Sequence, residues 1–149
     1  MSSWRFGPVS EADFEPLLAL RIEVMREHLE RVFRYEPGRA RRIFRGHFDE
    51  PGMRLILIDG QTAGCVGFRI QADEIKLDSF YLDRHHHNTG LGTVILKALL
   101  AEADALGLPI RLEVLTGSPA GRFYERHGFV KLKEDAIEGE YERAVIFDN

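Results

Sequence analysis

The feature that most constrains this chain is the junction after the alternating apolar run 75–82, which ends in Phe80-Tyr81-Leu82. The loop His87-Asn88-Thr89-Gly90-Leu91-Gly92 follows, and an amphipathic run then extends from Gly90 to Leu106. A strand that enters a helix through two glycines leaves the first helical N–H groups without an intrahelical acceptor. Those donors sit at the positive end of the helix dipole and form a site for a phosphate or pyrophosphate. Gly107 and Pro109 end the helix, and the run 110–115 reads as the next strand.

The rest of the chain alternates in the same way. Trp4 to Val9 reads as a strand, and Ser10 as the N-cap of a long helix. Phe14, Leu17, Leu18, Ile22, Met25 and Leu29 fall on one face of that helix. Pro37-Gly38 is expected to break the chain before a basic helix over 39–48. The runs 55–58 and 62–70, joined at Asp59-Gly60, predict a hairpin. A short helix over 119–127 stops at Gly128, and strands are expected at 129–133 and 141–147. This order implies one α/β sheet with helices on both faces. At 149 residues without a linker or repeat, a single domain spanning 1–149 is expected.

Composition narrows the function. A net charge of −4 argues against a general nucleic-acid binder. No apolar run reaches the ~18 residues needed to span a bilayer, and the N-terminus has no signal-like core, so a cytoplasmic protein without a membrane partner is expected. The single cysteine, Cys65, lies among Ala63, Val66 and Phe68 and reads as a small buried hydrophobe. His85-His86-His87 is a poor metal site, because three consecutive residues do not readily aim three imidazoles at one ion. No metal is expected.

Two nucleotide motifs are excluded at the loop. A dinucleotide fingerprint needs a third glycine where Ile95 stands, and a P-loop needs Gly-Lys-Ser/Thr, which is absent. Instead, His87-x-x-Gly90-Leu91-Gly92 resembles the pyrophosphate loop of the GNAT superfamily of acyl-CoA-dependent N-acyltransferases, with His87 at a position that is Gln or Arg in the family pattern. Downstream, Ser118-Pro-Ala-Gly-Arg-Phe-Tyr124-Glu-Arg-His-Gly128-Phe129 resembles the family's second signature, with Ser118 at the usual Asn position. The resemblance implies a central mixed sheet of about seven strands with helices on both faces. It also implies acetyl-CoA as co-substrate, an amine acceptor as partner, and a homodimer as a common assembly.

The same resemblance implies residue roles. Tyr124 is the candidate proton donor to the departing thiolate, and a phenol with a pKa of about 10 is protonated at neutral pH. Asp78 or water is the candidate base. Strand alternation puts Asp78 on the face of Lys76, Phe80 and Leu82. The main chain of Phe80 and Leu82 is expected to hold the acyl carbonyl and the pantetheine arm. His87, Asn88, Thr89, Gly90, Leu91, Gly92 and Thr93 are expected around the pyrophosphate, with Ser118 and Arg122 nearby. Arg84, Arg126 and His86 are further candidates for phosphates. The segment 28–35, with Glu27, Glu30 and Glu36 to attract an amine and Phe33 and Tyr35 as an apolar wall, is expected at the acceptor site. Two other readings fit the residues: a non-catalytic acyl-CoA-binding module and a cofactor-free interaction domain.

Overall fold

The structure, a computed structural model, describes residues 3–32 and 36–147, without the side chains of 27–29, 31 and 32. Seven strands form one sheet: β1 (Trp4–Pro8), β2 (Met53–Ile58), β3 (Gln61–Ile70), β4 (Ile75–Leu82), β5 (Ile110–Leu115), β6 (Val130–Glu134) and β7 (Glu138–Arg143). Their spatial order is β1-β2-β3-β4-β5-β7-β6. Only β4 and β5 run parallel, because the helix between them carries the chain back across the sheet. The helices are α1 (Phe14–Val32), α2 (Pro37–Asp49), α3 (Leu91–Leu106) and α4 (Ala120–Glu125).

Two apolar clusters hold the layers together. On one face Ile95, Leu96, Leu99 and Ala103 of α3 pack against Ile56, Val66, Phe68, Ile75 and Leu77. On the other, Phe14 and Leu17 of α1 and Phe44 and Phe48 of α2 pack against Leu55, Leu57 and Cys65. Fully burying a side chain of this size contributes about 1.5–3 kcal/mol. In α2 the buried residues are Ala40, Phe44 and Phe48, four apart, with arginines on the outer face.

Two boundaries differ from the sequence reading. Pro37-Gly38 begins α2 instead of breaking the chain. Proline is tolerated in a first turn, and the Glu36 carboxylate accepts from Gly38 N and Arg39 N at 2.8 and 2.7 Å. The final strand is Glu138–Arg143, not 141–147. It pairs with β5 at Leu112↔Tyr141, so the sheet takes Tyr141 and Arg143 inward while Ile146 and Phe147 lie exposed beyond it.

The register of β4 corrects a face assignment. Gly67 pairs with Asp78 and Cys65 with Tyr81, so Ser79 and Phe80 together oppose Val66. Ser79 has φ +50°, the mark of a bulge. The extra residue reverses the alternation. Asp78 and Tyr81 face α1 and α2, whereas Phe80 and Leu82 pack towards α3. Asp78 therefore does not share a face with Phe80 and Leu82.

On β3, where it pairs with Lys76, Arg69 is 3 % exposed and grips Asp78 through Nη2 and Nε at 3.0 and 3.2 Å. Gly67 makes room for this pair: a Cβ there would collide with Asp78 Oδ1 and lie 2.6 Å from Arg69 Nη2. Gly67→Ala is therefore expected to destabilise the fold by about 1–3 kcal/mol in urea unfolding.

Candidate active site

Strands β4 and β5 touch only at Ile75↔Ile110 and Lys76↔Arg111. Beyond those pairs they diverge, so each has an edge without a strand partner. Backbone N–H and C=O groups on such edges need other partners, water or a ligand. The gap opens into a cleft of about 970 Å³ that reaches both faces of the sheet.

At the end of β4 the loop is built from short side-chain bonds. Asp83 Oδ1 accepts from His85 N at 3.0 Å, capping a 3-10 turn. His87 folds back, its Nε2 lying 2.7 Å from Leu82 O, which requires the Nε2–H tautomer as donor. Thr89 Oγ1 donates to His86 O at 2.8 Å. Asn88 and Gly90 take left-handed φ values of +59° and +84°, and Gly90 caps α3. The loop runs straight into the first turn of α3, where Leu91 N donates to Thr89 Oγ1 at 3.4 Å and the N–H groups of Gly92 and Thr93 lack an intrahelical acceptor, a nest of donors suited to an anion.

His87, Asn88, Gly90, Gly92 and Thr93 line the cleft, as do Phe80 and Leu82. Two of the predicted loop side chains do not. Thr89 closes the loop, and Leu91 packs into the core. Ser118 reaches the cleft while its Oγ accepts from Ala120 N at 3.2 Å. Arg122 faces away, into a separate hollow beside Lys131 and Glu134 on the β6–β7 side of α4, whereas Arg126 lines the cleft. Arg84 pairs with Glu23 at 3.2 Å.

Tyr124 stands in the cleft wall, held edge-on between Phe123 and Phe129 at ring distances of 5.2 and 5.3 Å. Burial pushes its phenol well above the ordinary value, and nearby Tyr81 adds to the shift. Among the described residues, its hydroxyl has no hydrogen-bond partner. Tyr81 lines the same cleft from the other face of the sheet, and its Oη accepts from Arg21 Nε at 3.2 Å.

Asp78 and His47 border the α1/α2 side, with His47 Nδ1 4.0 Å from Asp78 Oδ1. Burial lowers the His47 pKa, against the pull of Asp78. Its imidazole is therefore neutral at neutral pH. His47, Glu50 and Asp78 are close enough to surround a cation. The Arg69 guanidinium already occupies that position, 3.0 Å from Asp78 Oδ1 and 3.7 Å from Glu50 Oε2.

Sequence reasoning missed Arg21, His47 and Tyr81. A signal existed for the first two: Arg21 lies four residues after Leu17 on an apolar face, and His47 sits between Phe44 and Phe48. Of the expected acceptor segment, Glu27 and 28–35 apart from Glu30 lie outside the described side chains. Glu30 pairs with Arg26, and Glu36 caps α2.

Cys65 is fully buried, and burial pushes its thiol up to about 12, so it is not a nucleophile. It is expected to resist a disulfide thiol reagent in the native protein and to react stoichiometrically once unfolded in guanidinium.

Residues 19–129 match the profile of the Acetyltransferase (GNAT) family. The fold resembles that of the PaiA N-acetyltransferase from Thermoplasma acidophilum in complex with coenzyme A, with TM-score 0.75 and 18% identity over 95% of this chain and 99% of that one. It also resembles Ard1 from Thermoplasma volcanium, with TM-score 0.70 and 21% identity over 96% and 98% of the two chains. The ribosomal-protein-S18-alanine N-acetyltransferase from Escherichia coli is similar too, with TM-score 0.68 and 16% identity over 99% and 97%. No curated protein sequence matches the chain. With the profile covering most of its length and the β4/β5 cleft in place, this chain belongs to the GNAT acetyltransferase family.

Proposed function

We propose that this protein transfers an acetyl group from acetyl-CoA to a primary amine by direct attack within a ternary complex. The observation that carries this reading is the cleft itself. A nest of main-chain donors lies at one end, two unpaired strand edges form its sides, and the Tyr124 hydroxyl, without a hydrogen-bond partner among the described residues, stands in its wall.

The residues fit the co-substrate. The nest around Asn88 and Gly90, continued by Gly92 and Thr93, suits a pyrophosphate. The unpaired edges of β4 and β5 suit an extended amide-bearing arm, which a strand edge recognises as it would another strand. Acetyl-CoA, when bound, supplies a thioester whose carbonyl carbon is open to a nucleophile. Main-chain donors near Phe80 and Leu82 are placed to stabilise the charge that develops on the carbonyl oxygen.

The acceptor enters from the α1/α2 face and meets the cleft at the divergence of the strands. An ammonium must lose one proton before its nitrogen attacks and a second as the amide forms. We assign the first to neutral His47, which passes it to water, with Asp78 as a fixed charge behind it. Both Asp78 oxygens already accept from Arg69, which disfavours Asp78 itself as the base. As the carbon–sulfur bond breaks, Tyr124 gives its proton to the sulfur, and the second amine proton restores the phenol.

Three outcomes test this. Free CoA thiol should be released when acetyl-CoA is mixed with a suitable amine from a panel. Binding of CoA without turnover of any amine would leave a non-catalytic module instead. Tyr124→Phe should lower kcat about a hundredfold or more with little change in acetyl-CoA affinity. The pH profile follows from two shifts. His47 is lowered, so the acid limb should lie below the ordinary histidine value of about 6.5 and disappear in His47→Gln. Tyr124 is raised, so no alkaline loss is expected below about pH 10.

A further inference from the structure

Three of the described arginines are buried: Arg21, Arg69 and Arg143, at 7, 3 and 5 % exposure. A guanidinium removed from water is normally balanced by a carboxylate, because an unpaired buried charge is unfavourable. Arg69 has Asp78, and Arg143 forks onto Asp104 at 2.9 and 3.0 Å. Arg21 has no carboxylate within salt-bridge distance among the described residues. Its Nε donates to Tyr81 Oη at 3.2 Å and its Nη1 to Ala40 O at 3.3 Å, and both acceptors are neutral. Its remaining nitrogen, Nη2, makes no hydrogen bond within the described protein, and Arg21 forms part of the cleft wall.

Among the described residues, the surroundings offer Arg21 no internal anion. Asp78 is taken by Arg69. His47, close enough for Arg21 to depress its pKa, is neutral. Val24 and Met25, one turn further along α1, add an apolar border to the cleft. The β5–β7 side of the cleft carries Glu113 and Glu138, beside Glu140, which pairs with Arg111 and Lys133 at 2.8 and 3.2 Å. The acceptor side thus has a cation unbalanced by any described carboxylate, with apolar side chains beside it, and the carboxylates of Glu113 and Glu138 on another wall.

We propose that Arg21 receives a carboxylate of the acceptor, and that the acceptor is a small amino acid with an apolar side chain. This rests on the acetyl-transfer reading above and names its substrate class. The planar guanidinium borders the cleft with Nη2 still unbonded among the described residues, and its fork of donors suits a carboxylate. The N-terminal residue of a polypeptide presents an amide at the same point and leaves Arg21 unbalanced. The carbon chain lies along Val24 and Met25, while the ammonium is drawn towards the glutamates.

The test is calorimetric binding to the intact protein in the presence of CoA. N-acetyl-L-methionine and N-acetyl-L-methioninamide are the probes, since they differ only at the carboxyl group. The acid is expected to bind about ten- to a hundredfold more tightly than the amide, the strength of one or two charge-assisted hydrogen bonds. In Arg21→Met that preference should vanish while CoA affinity stays unchanged, and Arg21→Lys should keep part of it. Equal or absent binding of both probes to the wild type overturns the proposal, as does loss of CoA affinity in Arg21→Met, which would place Arg21 in the cofactor site. Should Arg21→Met fail to fold, the wild-type preference and Arg21→Lys decide. Thiol release with amines that lack a carboxylate, without any acid preference, would leave the acetyl-transfer reading standing and remove only this one.

Discussion

Everything at the site depends on how little β4 and β5 pair. Two residue pairs join them at Ile75 and Lys76, and then the strands part. Each keeps a full antiparallel partner on its other side, β3 for β4 and β7 for β5, so the sheet stays intact around the opening. The cluster under α3 closes one face, and the cluster under α1 and α2 closes the other. The result is a passage through a sheet, with a rigid frame and hydrogen-bonding edges. An anion nest at the end of β4 and a buried phenol on α4 give that passage a direction.

A second constraint sits on β4. The bulge at Ser79 turns Asp78 and Tyr81 to the α1/α2 side and leaves Phe80 and Leu82 on the α3 side. One strand therefore serves both faces of the cleft. Arg69 fastens the bulged segment from behind through Asp78, and its Nη1 and Nη2 also donate to the carbonyls of Glu50 and His47 at 2.6 and 2.7 Å. The same arginine thus joins β3, β4 and the end of α2, where His47 stands. Arg21, which pairs with no carboxylate among the described residues, belongs to this side as well and is tied to Tyr81.

Much of this was legible in the residues. The strands 75–82 and 110–115, the loop around Gly90 and the stop at Gly107 carry local signals, since glycine marks the left-handed positions and alternation marks the strands. The two motifs pointed to the family that the profile match establishes. The bulge was not legible, because Ser79 adopts a positive φ that nothing in its own chemistry announces. It reversed the face expected for Asp78. The ion pair that occupies Asp78 joins residues on neighbouring strands, and alternation within one strand does not reveal it. Arg122 was placed by motif position, but it lines the hollow on the β6–β7 side of α4 and not the cleft. Arg21 and His47 each interrupt an apolar helix face, and such interruptions could have marked them.

The central claim is that the opening between β4 and β5 is where acetyl-CoA binds. Hydrogen–deuterium exchange with and without acetyl-CoA tests it directly. Exchange should slow at residues 77–82, 88–93 and 112–115, the two strand edges and the nest, with little change in β1 and β2. Unchanged exchange in those three segments at saturating acetyl-CoA, or protection confined to another face, would contradict it.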